Sequence, residues 1–212
     1  MTDNPLLILL TLGAAAYVFK LWLDDYRSTA EGDPPPGALP GATPAGTKAI
    51  LVAIGGALII LGMEVGGEYA LDIVEDQSEI TVLFGIFMLS AAFFEELIFR
   101  GFLVVQNRGR VFLVGSIFFF SVVFTLAHPF LWEFESGEQG WRVWEGSLSF
   151  DPSLSAWFST VIVFVNSLWF YTVRFYSLNS TRSLIPCFAA HFASNLGVFG
   201  VKGAQGFVTG WW

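Results

Sequence analysis

The chain has 212 residues, of which 54% are hydrophobic and only 13% are charged, and its mean hydropathy is +0.63. A soluble domain carries roughly 25% charged residues, so this composition predicts an integral membrane protein. The net charge of −8 argues against nucleic acid as a partner, because nucleic acid is held mainly by lysine and arginine on its phosphates. The single cysteine, Cys187, excludes an intrachain disulfide framework and gives no zinc–thiolate pattern.

Six apolar segments approach the length of about 20 residues that a helix needs to cross a bilayer. They cover residues 5–23, 48–64, 80–105, 111–131, 154–173 and 184–200. The pattern predicts an all-α fold, a polytopic integral membrane helix bundle with about six transmembrane helices. We expect the first segment to be retained and not cleaved as a signal, because it lacks a basic start.

The region between the first two segments, residues 24–47, is rich in proline and glycine. Such a composition cannot propagate a helix, so we expect a flexible linker there. The short connections suggest an orientation, because lysine and arginine tend to stay in the cytoplasm. Residues 64–79 and 132–152 are acidic and are predicted to lie outside, whereas residues 106–110 and 174–183 carry arginines without acids and are predicted to lie inside.

Ionisable side chains within the apolar segments need an explanation, because a charge in the hydrocarbon region costs several kcal/mol. Such residues usually face a protein interior or a wet cavity. Five ionisable residues and two amides lie in the segments away from their ends: Glu95, Glu96, Arg100, His128, His191, Asn166 and Asn195.

Helical spacing separates the two adjacent carboxylates. Residues four apart share a helix face, so Glu96 and Arg100 can pair and lower each other's cost of burial. Glu95 is turned about 100° away and has no such partner. A desolvated glutamate can act as a general base near neutral pH, and a nearby histidine can orient a water or exchange protons with it.

Each of these residues also has a purely structural interpretation. A buried glutamate and arginine can form an ion pair without further function, and a lone histidine or asparagine can join helices by a hydrogen bond. These alternatives remain open for every residue taken singly. Polar or charged residues nevertheless occupy energetically unfavourable positions in three separate apolar segments. One site that three helices form together explains them better than three unrelated structural roles.

Three short motifs occur in order along the chain: Glu95-Glu96-xxx-Arg100 in EELIFRG, Phe124-xxx-His128 in FTLAH and His191-xxx-Asn195 in HFASN. Together they resemble the CPBP (Abi) family, which comprises type II CAAX prenyl endopeptidases and bacteriocin-processing or immunity relatives. The resemblance covers about residues 80–200, which would form the catalytic core. Residues 1–79 would then form two N-terminal transmembrane helices with the linker, and residues 201–212 a short C-terminal tail.

The resemblance implies a role for each motif residue. Glu95 and His128 would activate the attacking water, while His191 and Asn195 would stabilise the oxyanion at the scissile carbonyl. Glu96 and Arg100 would hold the first motif in place, and Glu96 could share the role of the base.

Members of this family have been described both as metalloproteases and as glutamate-dependent enzymes that need no metal. Glu95, His128 and His191 could together bind a zinc ion. That arrangement would leave Glu96 as the only spare base, although Glu96 is expected to pair with Arg100. The sequence therefore favours a mechanism without a metal, and Zn stays an alternative.

The resemblance implies an intramembrane endopeptidase whose partners are the lipid bilayer and a membrane-associated peptide or protein substrate. We expect it in the cytoplasmic membrane of a prokaryote. The alternative is a non-catalytic membrane protein that acts in bacteriocin immunity or as a scaffold for a membrane complex. Nucleic acid is not an expected partner.

The depths of the motif residues in the bilayer test whether they can share a site. Counted from the connection at residues 106–110, Glu95 lies about 17 Å deep and His128 about 27 Å deep, at about 1.5 Å per helical residue. The mismatch of about 10 Å predicts an interfacial or bent segment at residues 106–114. Pro129 should also disturb the helix there and turn His128 inward.

Overall fold

The computed structural model describes residues 5–135 and 143–211, and it has a helix for each of the six predicted segments. The helices are α1 Pro5–Ala30, α2 Thr47–Ala70, α3 Val82–Glu95, α4 Arg110–Leu126, α5 Leu154–Phe175 and α6 Ile185–Gln205. A π-helix, Glu96–Phe102, continues α3 directly. A small antiparallel hairpin of β1 Trp132–Glu135 and β2 Ser147–Phe150 follows α4, and single 3₁₀ turns cover Val74–Asp76 and Val143–Glu145. The prediction of an all-α membrane helix bundle is confirmed.

Four of these helices are long and apolar enough to cross a membrane on the criteria of length and composition: α1, α2, α5 and α3 together with its π-helix. The α4 helix is apolar but shorter. Two helix starts are fixed by side chains, because the hydroxyls of Thr81 and Ser153 accept hydrogen bonds from the backbone N–H groups of Phe84 and Ala156. The apolar segments therefore become helices with defined ends.

The α6 helix lies at the centre of the packing, where it contacts α2, α3 and α5. Small residues allow the close approach that membrane helices use to pack against each other. At Gly197, for example, an added Cβ would collide with the side chain of Leu61 on α2. The buried core behind this contact is formed by aromatic and small apolar residues: Trp22, Ala53, Ala57, Phe93, Phe170, Cys187, Phe188 and Ala190.

The expectation of a flexible linker at residues 24–47 is wrong. The α1 helix runs on to Ala30, and the proline-rich residues after it lie against the turn between α5 and α6. The Nε1 of Trp22 donates to the carbonyl of Pro40 at 3.2 Å, and the N–H of Leu184 donates to the carbonyl of Gly41 at 3.0 Å. The hydroxyl of Thr181 donates to the carbonyl of Pro44 at 2.7 Å. Backbone groups that lack helical partners are thus satisfied by another part of the fold.

The expected interfacial or bent segment at residues 106–114 is found only in part, because residues 106–109 are irregular but α4 is regular from Arg110 onward. The irregular part is residues 103–109, and it runs back along α4: the N–H of Val105 donates to the Ser116 hydroxyl at 3.1 Å. Val105 therefore lies beside the second turn of α4, so Glu95 and His128 cannot be counted from one common starting level at residues 106–110.

We predict that Gly41→Ala destabilises the fold much more than Gly37→Ala in the same linker. Both glycines have positive φ angles, 62° and 79°, so each alanine carries about 1–2 kcal/mol of left-handed strain. Only at Gly41 would the new Cβ also meet other groups, among them the backbone nitrogen of Leu184 at 2.8 Å, whereas nothing lies within 4 Å at Gly37. The clash at Gly41 should add about 1–3 kcal/mol to the loss of unfolding free energy. Thermal unfolding in detergent micelles measures the difference, and equal losses would show that the linker is not held at Gly41.

Candidate active site

Glu96 is the centre of the polar cluster, and its side chain has no exposed surface. One of its oxygens, Oε1, lies 3.3 Å from Nη1 of Arg100 and 2.8 Å from Nδ1 of His191. The predicted pairing of Glu96 with Arg100 is present in the structure. The sequence reasoning did not include the second partner, His191, which comes from another helix.

Arg100 is also fully buried, and three helices surround its guanidinium. Its Nη2 donates to the hydroxyl of Ser167 on α5 at 2.8 Å, and that hydroxyl in turn donates to the hydroxyl of Ser121 on α4 at 3.1 Å. The guanidinium carbon lies 4.3 Å from the ring centroid of Phe124, a distance that permits a cation–π interaction. The two serines were missed because small hydroxyl residues are common in membrane helices and carry no distinctive signal.

The first motif lies where the helix changes from α to π geometry. Such π-helical turns are rare and often occur at functional sites. A bond from the N–H of Leu103 to the carbonyl of Ile98 at 2.7 Å has the wider spacing of this geometry. The hydroxyl of Tyr171 lies 2.8 Å from the carbonyl of Phe99 and 3.1 Å from that of Leu103, and its single proton can be donated to either one. Tyr171 thus helps to satisfy the carbonyls at the end of the π-helix.

The imidazole of His191 is held on two sides. Its Nδ1 lies 2.8 Å from Glu96, and its ring stacks on Phe170 with the centroids 4.6 Å apart. Because the Glu96 carboxylate is an acceptor, Nδ1 carries a proton and donates it, which leaves Nε2 facing the other way. Nε2 lies 3.7 Å from Oε2 of Glu95. The two adjacent glutamates therefore contact the same imidazole from different sides.

Glu95 differs from Glu96 in its surroundings, since 28% of its side chain is exposed. It does not pair with Arg100, as the helical spacing predicts, and it lines a cavity together with His191. This carboxylate therefore has access to water and to a ligand, while Glu96 has neither.

His128 follows the end of α4 and lines the same cavity as Glu95. Its Nδ1 lies 2.8 Å from the carbonyl of Phe124. A carbonyl can only accept, so Nδ1 carries the proton and Nε2 is the basic nitrogen of the neutral ring. His128 and Glu95, which come from two different motifs, thus line one cavity.

Asn195 also lines the cavity, but one of its two amide hydrogens is used within the bundle. Its Nδ2 donates to the carbonyl of Met88 on α3 at 3.0 Å. An amide nitrogen has two hydrogens, so one donor remains for a ligand. This bond to α3 also fixes the direction in which the amide points.

The cavity measures about 660 Å³, within the range of ligand sites. It extends from Glu95 and His191 along the bundle to Glu64 and Glu68 on α2 and to Lys202 on α6. The sequence reasoning counted Glu64 and Glu68 among the residues of an outer loop, but α2 continues to Ala70 and carries both into the cavity wall. Residues outside the expected core at 80–200 therefore help to form the cavity.

The side chains do not fit a zinc site. Within residues 5–135 and 143–211, no three histidine, cysteine, aspartate or glutamate side chains are grouped so that they could hold a metal ion. In the candidate set of Glu95, His128 and His191, both Nδ1 atoms bond protein acceptors, so a metal could reach these histidines only through Nε2.

Fold and site together define a polytopic helical membrane protein with a glutamate–histidine site at a cavity inside the bundle. The model of one family, described as type II CAAX prenyl endopeptidase Rce1-like, matches residues 77–197, more than half of the chain. The chain belongs to this family, which confirms the resemblance drawn from the three motifs. No curated protein and no solved structure was found to match the chain.

We predict that Arg100→Met lowers the free energy of unfolding by about 3–5 kcal/mol, because it leaves the Glu96 carboxylate in an apolar interior without its arginine. The matched control is Arg182→Met, which removes an exposed guanidinium that contacts Gln106. That change should stay within about 0.5 kcal/mol. Denaturant unfolding in detergent micelles measures the free energy of unfolding of both variants. Similar losses would mean that the buried pair of Glu96 and Arg100 contributes no more to stability than an exposed arginine does.

Proposed function

We propose that the protein is an intramembrane endopeptidase that hydrolyses a peptide bond of a membrane-associated protein or peptide with a water activated by Glu95. The observation that carries this proposal is the 3.7 Å separation of Oε2 of Glu95 from Nε2 of His191 at the wall of the cavity. Membership of a family of CAAX-type endopeptidases supports the reaction class.

In the first step Glu95 accepts a proton from a water bound in the cavity. The resulting hydroxide attacks the carbonyl carbon of the scissile bond, and the carbonyl oxygen becomes an oxyanion. Nε2 of His128 lies on the same cavity and can help to orient the water. The exposed part of the Glu95 side chain makes this carboxylate the one that water can reach.

Hydrogen-bond donors around the cavity then stabilise the oxyanion. The second N–H of Asn195 is one such donor, and Nε2–H of protonated His191 is another. The Glu96 carboxylate accepts the hydrogen bond from Nδ1–H and so holds the imidazole in one orientation, as a buried carboxylate does in a catalytic triad. Glu95 finally passes its proton to the leaving nitrogen as the C–N bond breaks, which returns the site to its starting state.

The location of the site supports this substrate class. Helices long enough to cross a membrane contribute to the cavity wall, which favours a membrane-associated chain as the source of the scissile bond. Whether cleavage requires a prenyl group on the substrate can be tested separately, by comparing the cleavage rates of a farnesylated peptide and of the same peptide without the lipid. The prokaryotic cytoplasmic membrane stays a prediction.

We predict that Glu95→Gln lowers kcat by about 10²- to 10⁴-fold, the usual contribution of a general base. A quenched fluorescent peptide with a farnesylated cysteine near its C-terminus, cleaved by purified protein in lipid nanodiscs, measures the rate. Glu31→Gln is the matched control, because it removes an exposed carboxylate at the end of the first membrane-spanning region. Unchanged cleavage in Glu95→Gln would contradict the mechanism, and no cleavage by the unaltered protein would favour the non-catalytic alternative.

We also predict that treatment with EDTA or 1,10-phenanthroline leaves the cleavage rate within about twofold, because Glu95 and not a metal activates the water in this mechanism. The same fluorescent peptide reports the rate before treatment, after treatment and after zinc is added back. Loss of activity with recovery on adding zinc would replace this mechanism with a metal-dependent one.

A further inference from the structure

Asn166 is the one amide among the described residues of the cavity wall that is buried and makes no hydrogen bond at either end. Its side chain is on α5, the residue is 9% exposed, and its Oδ1 is buried without a hydrogen-bond partner. Its Nδ2 makes no hydrogen bond to the described residues either and is not fully enclosed, so Nδ2 is the end of the amide that faces the cavity. An unpaired polar group in such a place costs about 1–3 kcal/mol.

The other deeply buried asparagine among the described residues is fully used. The Nδ2 of Asn179, which is 2% exposed, has three backbone carbonyls within hydrogen-bond distance, and its Oδ1 accepts from the N–H of Ser183. Asn195 joins α6 to the carbonyl of Met88 on α3. Asn166 makes no bond of this kind with the described residues. A role in joining helices therefore does not account for it.

The position of Asn166 relates it directly to the candidate catalytic groups. Phe170 stacks on His191, and Asn166 precedes Phe170 by one helical turn, or about 6 Å along α5. Ser155 and Ser159 also line the cavity from α5. Asn166 thus lies on the cavity-facing side of α5, between the His191 level and these serines.

We infer that the amide of Asn166 binds the backbone of the substrate, about two residues from the scissile bond. This inference rests on the proposed endopeptidase function. An extended peptide advances about 3.3 Å per residue, so a displacement of about 6 Å corresponds to two residues. Because Oδ1 is buried, Nδ2 is the end of the amide that a ligand can reach, and its two N–H groups can donate to a carbonyl of the substrate backbone. The ligand is an extended peptide backbone, whatever its side chains.

The first test compares Asn166→Leu with the unaltered protein on the farnesylated fluorescent peptide in nanodiscs. Leucine has the same branched shape but cannot hydrogen-bond, so KM should rise about tenfold or more. The value of kcat should change less than twofold, because the contact is made equally in the bound substrate and in the transition state. The thermal midpoint should not fall, because the amide has no partner to lose. Asn107→Leu, at an exposed position, is the matched control. An unchanged KM, or a lower midpoint with an unchanged KM, would overturn the inference.

The second test changes the substrate. Esters replace its peptide amides one at a time, which weakens a single carbonyl acceptor at each position. In the unaltered protein, the ester about two residues from the scissile bond should raise KM more than its neighbours do, and Asn166→Leu should abolish this difference. A uniform response to all esters would overturn the role of Asn166 while cleavage itself continues. Absence of cleavage by the unaltered protein, or full cleavage by Glu95→Gln, would instead show that the proposed function has failed.

Discussion

Glu96 is a carboxylate without exposed surface in an apolar helix bundle, and the rest of the site depends on how its charge is compensated. A charge in such surroundings is tolerated only if it is paired and hydrogen-bonded. Arg100 supplies the opposite charge from the π-helix, and His191 supplies a hydrogen bond from α6. Arg100 in turn needs Ser167 on α5, so three segments must meet at one level of the bundle.

The contacts that compensate the charge of Glu96 also determine which chemistry His191 and Glu95 can perform. Because Glu96 binds Nδ1 of His191, the other nitrogen of the ring must face the cavity, where Glu95 lies 3.7 Å away. Two adjacent residues of one sequence motif thus reach the same imidazole from the buried side and from the open side. Burial of the first glutamate orients the histidine, and exposure of the second gives water access to a carboxylate.

The first two helices lie outside the part of the chain that the family matches, yet they belong to the same structural unit. The α2 helix packs along α6 and brings Glu64 and Glu68 to the cavity wall. The linker before it hydrogen-bonds the turn between α5 and α6 through the carbonyls of Gly41 and Pro44. The cavity is therefore a property of the whole bundle, and its size and shape depend on residues that the three motifs do not include.

The sequence by itself determined the features that are local. Apolar length predicted six helices, and the four-residue spacing predicted the pair of Glu96 with Arg100, because a helix brings such residues together wherever it lies. Only the tertiary structure decided that His191 bonds Glu96 and that Glu95 and His128 line one cavity. It also decided that the linker is fixed and that Asn166 is left unpaired. These contacts join residues far apart in the chain, and they depend on how helices and connections stack, which no periodicity within one segment specifies.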